Sequence, residues 1–181
     1  MLSERALIRS GAWPESMPET NEIEELYRVA SSGPPLHETE DTASVFARIY
    51  GWLRDRSDLV AVETREDGRL VGFAYGHPWK QEEQHDPWSR ELIERLGDAA
   101  QLLEGSFVVY LLAVDPAHQR TGLGRELLRV LLHASGAERA WLQTRDEESP
   151  AMALYLSEGW EPIGYGPEAP NGLPGRVLLW K

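Results

Sequence analysis

The stretch that decides the fold is YLLAVDPAHQRTGLGRELLRVLL, residues 110–132. An apolar segment, a proline-containing turn and leucines at helical spacing predict a strand, a turn and a helix. The N-terminal end of a helix carries a partial positive charge, so an acidic residue or a capping side chain is stabilising there. Here that end holds two arginines and two glycines, and no acidic residue precedes Glu126. The four residues are Arg120, Gly122, Gly124 and Arg125.

A bound anion would explain this composition. Arginine at the positive end costs a few tenths of a kcal/mol, and a glycine inside a helix costs up to about 1 kcal/mol. Glycine lets a ligand approach the backbone, whose N–H groups converge on it, and arginine adds charge-assisted contacts. The pattern therefore favours a diphosphate, with a plain strand-to-helix turn as the alternative. A Rossmann turn would need glycine at Leu127, and no Gly-Lys-Ser/Thr follows for a P-loop.

The rest of the chain alternates helical and strand patterns. Thr20 or Asn21 caps a predicted helix over 21–31, and Val45, Ile49 and Leu53 fall at helical spacing in the next helix. Asp67-Gly68 predicts a hairpin turn, and Ser149-Pro150 predicts a helix start. Helices are predicted over 21–31, 42–54, 89–103, 123–135 and 150–158, and strands over 59–64, 70–77, 106–114, 139–144, 159–166 and 176–181. This order is α+β or α/β with a mixed sheet, in one domain, residues 1–181.

The amino-acid composition excludes several kinds of site. The 181 residues are 41% hydrophobic and contain no cysteine, which excludes disulfides, thiolate metal sites and a cysteine nucleophile. No apolar run reaches 18 residues and no signal-peptide pattern begins the chain, so we expect a cytoplasmic protein without a membrane partner.

The net charge of −12 is concentrated in residues 1–105, which carry 21 acidic and 11 basic side chains against 9 and 7 in residues 106–181. An acidic surface disfavours nucleic acid as a partner. It suits a cationic or amine-bearing ligand, or it serves only solubility.

LLAVDPAHQRTGLGRELL, residues 111–128, resembles the acetyl-CoA signature of the GNAT superfamily of N-acyltransferases. In that signature an apolar strand ending in Val-x-Pro precedes Gln/Arg-x-x-Gly-x-Gly/Ala. AMALYLSEGW, residues 151–160, is similar to the family's Ala-x-x-Leu-Tyr-x-x-x-Gly-Phe helix, with Trp160 in place of Phe. The resemblance covers residues 109–165. The sequence departs from it at Glu148, seven residues before the tyrosine, where the family often has asparagine near the pantetheine arm.

The resemblance implies a mixed, mostly antiparallel sheet flanked by helices, with a splayed strand pair that binds acyl-CoA. It also implies acetyl-CoA as cosubstrate and direct attack by an amine, with the oxyanion near the backbone of the signature strand. Tyr155 matches the general acid that protonates the departing thiolate. A core aromatic is the alternative for this tyrosine. The implied coenzyme residues are Leu112, Ala113 and Val114 for pantetheine, and Gln119, Arg120, Thr121, Gly122, Leu123, Gly124 and Arg125 for the diphosphate.

The general base is left open by the sequence. The family often places a glutamate on or beside the signature strand, but that strand has no acidic residue here. Glu63, His77, Glu104, a water molecule, or an amine that binds already neutral are the alternatives. His77, His85 and Asp86 are more typical of surface or loop positions than of metal ligands, and no metal is expected.

Residues 78–105 form a long excursion between two predicted strands, and we interpret it as a substrate-side insertion or lid. Trp79, Glu82 and Trp88 could enclose a cationic amine there, or the tryptophans could anchor the loop. Three other tryptophans lie on predicted strands and are expected in the core. These are Trp141, Trp160 and Trp180.

The sequence thus predicts an N-acetyltransferase that moves an acetyl group from acetyl-CoA to a primary amine, favouring a small molecule, in a monomer or homodimer. A non-catalytic acyl-CoA-binding sensor of the same fold is the first alternative. A nucleotide-dependent enzyme using the same turn is the second, and it would prefer ATP or NAD to CoA.

Overall fold

The computed structural model describes residues 6–10 and 17–181 and confirms a mixed α/β fold. Five helices and seven strands alternate along this part of the chain. The pairs β1–β2, β2–β3, β5–β7 and β6–β7 are antiparallel, and β4 pairs with β5 in parallel. The elements are β1 Ala6–Ser10, α1 Thr20–Ser31, α2 Glu40–Leu53, β2 Val60–Glu66, β3 Arg69–Pro78, α3 Pro87–Leu96, β4 Phe107–Val114, α4 Leu123–Ser135, β5 Ala140–Thr144, α5 Pro150–Ser157, β6 Glu161–Glu168 and β7 Pro174–Trp180. None of the described helices is long and apolar enough to cross a membrane.

The chain divides into two compact units, and the first comprises residues 1–77 and 110–136. Its strands follow the order β1-β2-β3-β4. The predicted Asp67-Gly68 turn joins β2 to β3 with φ of +50° and +81°, as a two-residue hairpin turn requires. Strand β1 was not predicted, because its five residues carry too little alternation to identify a strand.

The core of the first unit lies between its strands and the helices α1 and α2. Buried side chains from both layers form one apolar cluster, in which Tyr50 meets Phe73 and Tyr75 edge-on. Helix α4 lies against β2 and β3, where Gly72 makes the contact possible. A Cβ at Gly72 would lie 2.9 Å from a methyl group of Leu127.

Two sequence predictions for the first helices were wrong in detail. Glu19, and neither Thr20 nor Asn21, is the N-cap of α1, where Glu19 and Glu22 form a reciprocal capping box. Helix α2 buries Ala43, Ala47 and Tyr50, while Val45 is 42% exposed. Leu53 of the predicted face does pack against the core cluster, so the prediction fails at Val45 and not along the whole helix.

The second unit comprises residues 78–109 and 137–181, with the strand order β4-β5-β7-β6. Helix α3 packs on β6, where glycines replace side chains. A Cβ at Gly164 would lie 2.8 Å from Leu96, and one at Gly166 would lie 2.9 Å from Leu92. Helix α3 ends at Leu96, earlier than the predicted residue 103, because Gly97 turns to φ +55° and a 3₁₀ segment follows.

Candidate functional site

Strand β4 leads directly into the glycine-containing turn. Leu112 and Val114 are half-buried, and Ala113 between them is buried. The register of β4 with β5 pairs only residues 107–108 with 140–141 among the described residues. The predicted pantetheine residues therefore lie beyond the residues that pair β4 with β5.

Hydrogen bonds within the turn after β4, and one to β3, hold this turn. The Asp115 carboxylate accepts a hydrogen bond from the Ala117 N–H at 2.9 Å, and the Asp115 N–H donates to the Val71 carbonyl at 2.8 Å. The His118 N–H donates to the Asp115 carbonyl at 2.8 Å. Asp115 is 5% exposed and was missed at the sequence level, although an aspartate before proline is a common way to begin such a turn.

Gln119 closes this turn. Its side-chain amide donates to the Val114 carbonyl at 3.0 Å, and its backbone N–H donates to the Pro116 carbonyl at 3.3 Å. One hydrogen of the side-chain NH2 and the backbone N–H thus have acceptors within the protein, and the predicted contact of Gln119 with a diphosphate stays a prediction.

The next residues expose their backbone donors. Arg120 has φ +60° and Gly122 has φ +88°, so the chain turns twice through the left-handed region before α4 begins. No side chain caps this helix. In the part of the chain that the structure describes, the N–H groups of Arg120, Thr121 and Gly122 have no hydrogen-bond acceptor. All three residues are exposed.

These donors lie at the positive end of α4. The first bond into the helix runs from the Glu126 N–H to the Gly122 carbonyl at 3.0 Å, so the amides of Leu123 and Gly124 precede it. The exposed side chain of Arg120 adds positive charge. Successive backbone N–H groups at a helix N-terminus are a ready anion-binding arrangement.

Tyr155 lies on α5 in the second unit, and it is the one buried residue of that helix. Burial raises the pKa of its phenol to about 12, which keeps the hydroxyl protonated at neutral pH. Its ring lies 5.9 Å from the Trp160 ring, and its carbonyl accepts the Trp160 N–H at 3.1 Å. Both the predicted Ser149 cap and the predicted burial of Trp160 are confirmed.

The three residues considered as a general base have different surroundings. Glu63 is buried and pairs with Arg65 at 3.3 Å. His77 is buried and stacks on Tyr110 with ring centroids 5.2 Å apart. Glu104 is exposed and accepts the Gln81 N–H at 2.7 Å, a contact between the two ends of the 78–105 excursion.

The excursion of residues 78–105 contributes to the core of the second unit. Trp79 is fully buried and meets Trp141 edge-on at 4.9 Å. The proposed substrate role of Trp79 is therefore replaced by the alternative, an anchor of the excursion. Glu82 is exposed on a 3₁₀ turn, and Trp88 is 37% exposed in the first turn of α3. Their contribution to substrate binding stays a prediction.

Across residues 6–10 and 17–181, no group of three or more histidine, aspartate or glutamate side chains is placed to hold a metal ion.

The chain is similar to known acetyltransferases. It is 33% identical over 103 residues to the N-alpha-acetyltransferase RimI of Mycobacterium tuberculosis, which covers 57% of this chain and 52% of that protein. It is 36% identical over 115 residues to the mycothiol acetyltransferase of Thermobifida fusca, which covers 61% of this chain and 30% of that protein. The chain thus spans between a fifth and about half the length of the curated relatives it matches.

Its fold matches solved structures over nearly the whole chain. The PaiA N-acetyltransferase from Thermoplasma acidophilum, solved in complex with coenzyme A, superposes with a TM-score of 0.59 at 12% identity, covering 97% of this chain and 98% of that one. A model described as the acetyltransferase (GNAT) family matches residues 20–160, which include both sequence motifs. The chain belongs to the GNAT family of acetyltransferases.

Proposed function

We propose that this protein is an N-acetyltransferase that transfers the acetyl group of acetyl-CoA to a primary amine. The observation that carries the proposal is the row of exposed, acceptor-free amides at Arg120, Thr121 and Gly122, at the start of an uncapped helix. A diphosphate would supply the missing acceptors and neutralise the positive end of α4. Family membership and the coenzyme A complex of a structural neighbour support the choice of ligand.

Strand β4 is proposed to bind the pantetheine arm. Leu112 and Val114 lie beyond the residues that pair β4 with β5. The Val114 carbonyl already accepts the Gln119 side-chain amide, so the candidates to pair with the amides of the arm are the backbone groups of Leu112 and the Val114 N–H. A ligand strand would satisfy backbone groups that a sheet normally pairs within the protein.

In the proposed reaction the nitrogen of a neutral amine attacks the thioester carbonyl carbon. The C–N bond forms, the C–S bond breaks and the thiolate leaves, while the nitrogen loses a proton to a base or to water. Tyr155 is proposed to donate its hydroxyl hydrogen to the thiolate. The phenol carries its proton at neutral pH, as a general acid must, although burial raises its pKa to about 12 and so makes it a weaker acid than an exposed tyrosine.

The acceptor is proposed to be a primary amine, and two classes have specific support. The similarity to RimI, an N-alpha-acetyltransferase, favours the α-amine of a peptide. The similarity to a mycothiol acetyltransferase, together with the acidic character of the chain, favours a small amine. Both classes need the same attack on the thioester, so the coenzyme site does not distinguish them.

A thiol-release assay tests the proposal. Purified protein is mixed with acetyl-CoA and each member of an amine panel that contains aminoglycosides, polyamines, amino acids and short peptides with free or blocked N-termini. Amine-dependent release of CoA is expected, and comparison of free with blocked peptides shows whether an α-amine is the acceptor. Gly124→Trp is the matched negative control, because it fills the proposed diphosphate position.

Two results would contradict the proposal. Tight binding of acetyl-CoA without release by any amine would indicate the acyl-CoA sensor. Binding of ATP or NAD in preference to acetyl-CoA would indicate a nucleotide-dependent enzyme.

A further inference from the structure

The two residues that flank the β2–β3 hairpin turn both reach the chain that forms the coenzyme turn. Glu66 and Arg69 are register partners on either side of Asp67-Gly68. Arg69 makes an ion pair with Asp115, and the Glu66 carboxylate lies within hydrogen-bond distance of the His118 ring. The hairpin therefore contacts the turn at two points.

The first contact joins Arg69 to Asp115. The Arg69 Nη2 lies 2.8 Å from the Asp115 Oδ2, and Asp115 is buried although Arg69 is 63% exposed at its side chain. The other carboxylate oxygen of Asp115 accepts the Ala117 N–H. One buried side chain thus connects the hairpin to the first residues of the turn.

The second contact joins Glu66 to His118. The His118 Nε2 lies 3.0 Å from the Glu66 Oε2, with side-chain exposures of 22% and 43%. The His118 carbonyl accepts the Thr121 hydroxyl at 2.6 Å. This pair therefore lies one hydrogen bond away from the exposed amides.

The turn needs such external support because one of its residues is strained. Arg120 has φ +60°, a left-handed conformation that costs a non-glycine residue on the order of 1 kcal/mol or more and persists only when its surroundings impose it. A turn that is fixed before the ligand arrives also avoids an ordering cost on binding.

We propose that the Arg69–Asp115 and Glu66–His118 pairs form a clamp that holds the coenzyme turn in its diphosphate-binding conformation. The four members are positioning residues, since none needs to touch the ligand. This inference rests on the proposed function. It predicts that the β2–β3 hairpin, which the sequence motifs do not include, sets the affinity for acetyl-CoA.

Calorimetry with acetyl-CoA tests the clamp on the full chain. The variants are Arg69→Ala, Asp115→Asn, which keeps an oxygen for the Ala117 N–H, their double variant, and Glu66→Gln. Each single change should weaken acetyl-CoA about two- to fivefold, the range expected for a partly exposed ion pair. The double variant should be no weaker than the worse single variant, because the two residues act through one contact.

Kinetics separate positioning from a general structural effect. The KM for acetyl-CoA should rise in each variant while kcat stays unchanged. With S-acetylpantetheine, which lacks the diphosphate, kcat/KM should not change, because the clamp acts at the diphosphate alone. Arg28→Ala is the matched control, since it breaks an ion pair with Glu25 on α1, away from the turn.

The outcomes are distinct. If wild type binds acetyl-CoA and all clamp variants bind within the error of wild type, the clamp is refuted and the proposed function stands. If kcat/KM with S-acetylpantetheine falls equally, the clamp is also refuted, because the variants then impair the enzyme in general and not diphosphate binding alone. If wild type itself does not bind acetyl-CoA, the proposed function fails and the clamp fails with it.

Discussion

Helices α4 and α5 both follow an apolar strand of the sheet, yet their N-termini are built in opposite ways. Helix α5 begins with Ser149, whose hydroxyl accepts the Met152 N–H at 3.1 Å, and Pro150 has no N–H to satisfy. Helix α4 begins with Gly122 in a left-handed conformation and has no side-chain cap. The N-terminus of α5 is capped by the chain itself, whereas the N-terminus of α4 leaves its donors to solvent or to a ligand.

The N-terminus of a helix can therefore serve stability, as in α5, or be left open for a ligand, as in α4. The capped end of α5 stabilises the fold, because the Met152 N–H bonds to the cap and Pro150 has no N–H. The open end of α4 gives up that stabilisation, and the strain at Arg120 adds to the cost. A protein retains such a cost most readily where the open donors bind something.

The largest expected effect comes from filling the open end. Gly124→Trp places a bulky side chain beside the exposed amides, so acetyl-CoA should bind about a hundredfold more weakly or not at all, the equivalent of losing two charge-assisted hydrogen bonds. Calorimetry measures the change. His133→Trp, at the exposed far end of the same helix, should leave affinity unchanged, and equal affinity of the Gly124 variant would contradict the diphosphate assignment.

The second-largest effect is expected on the rate of the chemical step. Tyr155→Phe should lower kcat about a hundredfold, the lower limit for losing a general acid, and should leave the Kd for acetyl-CoA unchanged. Single-turnover kinetics with a saturating amine measure the chemical step. Full activity in this variant would show that Tyr155 is only a core aromatic residue, which is the alternative that the sequence left open.

Removing the cap of α5 should affect stability alone. Ser149→Ala leaves the Met152 N–H without its acceptor, so the free energy of unfolding should fall by about 1 kcal/mol. Urea denaturation measures this change, and calorimetry should show an unchanged Kd for acetyl-CoA. A loss of affinity here comparable with that of Gly124→Trp would break the contrast between the two helix ends.

A smaller effect is expected from one charge at the open end. Arg120→Ala keeps the exposed amides but removes a cation, so acetyl-CoA should bind a few-fold more weakly. The loss should shrink as salt concentration rises, because salt screens the wild-type contact. A loss that does not depend on salt would show that Arg120 acts through the conformation of the turn.

Tyr155 should add almost no pH dependence to the free energy of unfolding below about pH 10. Its pKa is raised to about 12 in the folded protein and is about 10 when unfolded, so the folded state holds the proton more tightly. The stability that the neutral phenol contributes should therefore fall as pH rises from about 10 towards 12. Urea denaturation of wild type and Tyr155→Phe should show a difference that is constant from pH 7 to 9 and decreases above pH 10.

The sequence predicted local features of the fold better than tertiary ones. The hairpin turn at Asp67-Gly68, the Ser149 cap and the end of α4 at Gly136 were predicted because short-range backbone chemistry determines them. The buried face of α2 was missed, and the burial of Trp79 was left as one of two alternatives, because both depend on which distant side chains fill the space.

The candidate site shows the same division. Glycine and arginine spacing indicated the open helix end, since both residue types are unusual there. The internal hydrogen bonds of Gln119 and the contacts of Asp115 and His118 with the hairpin could not be predicted, because each joins residues whose approach is set by the folded turn and hairpin.

The central claim is that the exposed amides of the α4 turn hold the diphosphate of acetyl-CoA, and backbone NMR of this 20.4 kDa protein tests it most directly. Titration with acetyl-CoA should shift the amide signals of Arg120, Thr121, Gly122 and Gly124. S-acetylpantetheine should leave those signals in place, because it lacks the diphosphate. Saturable acetyl-CoA binding that leaves these four amides unshifted would contradict the account.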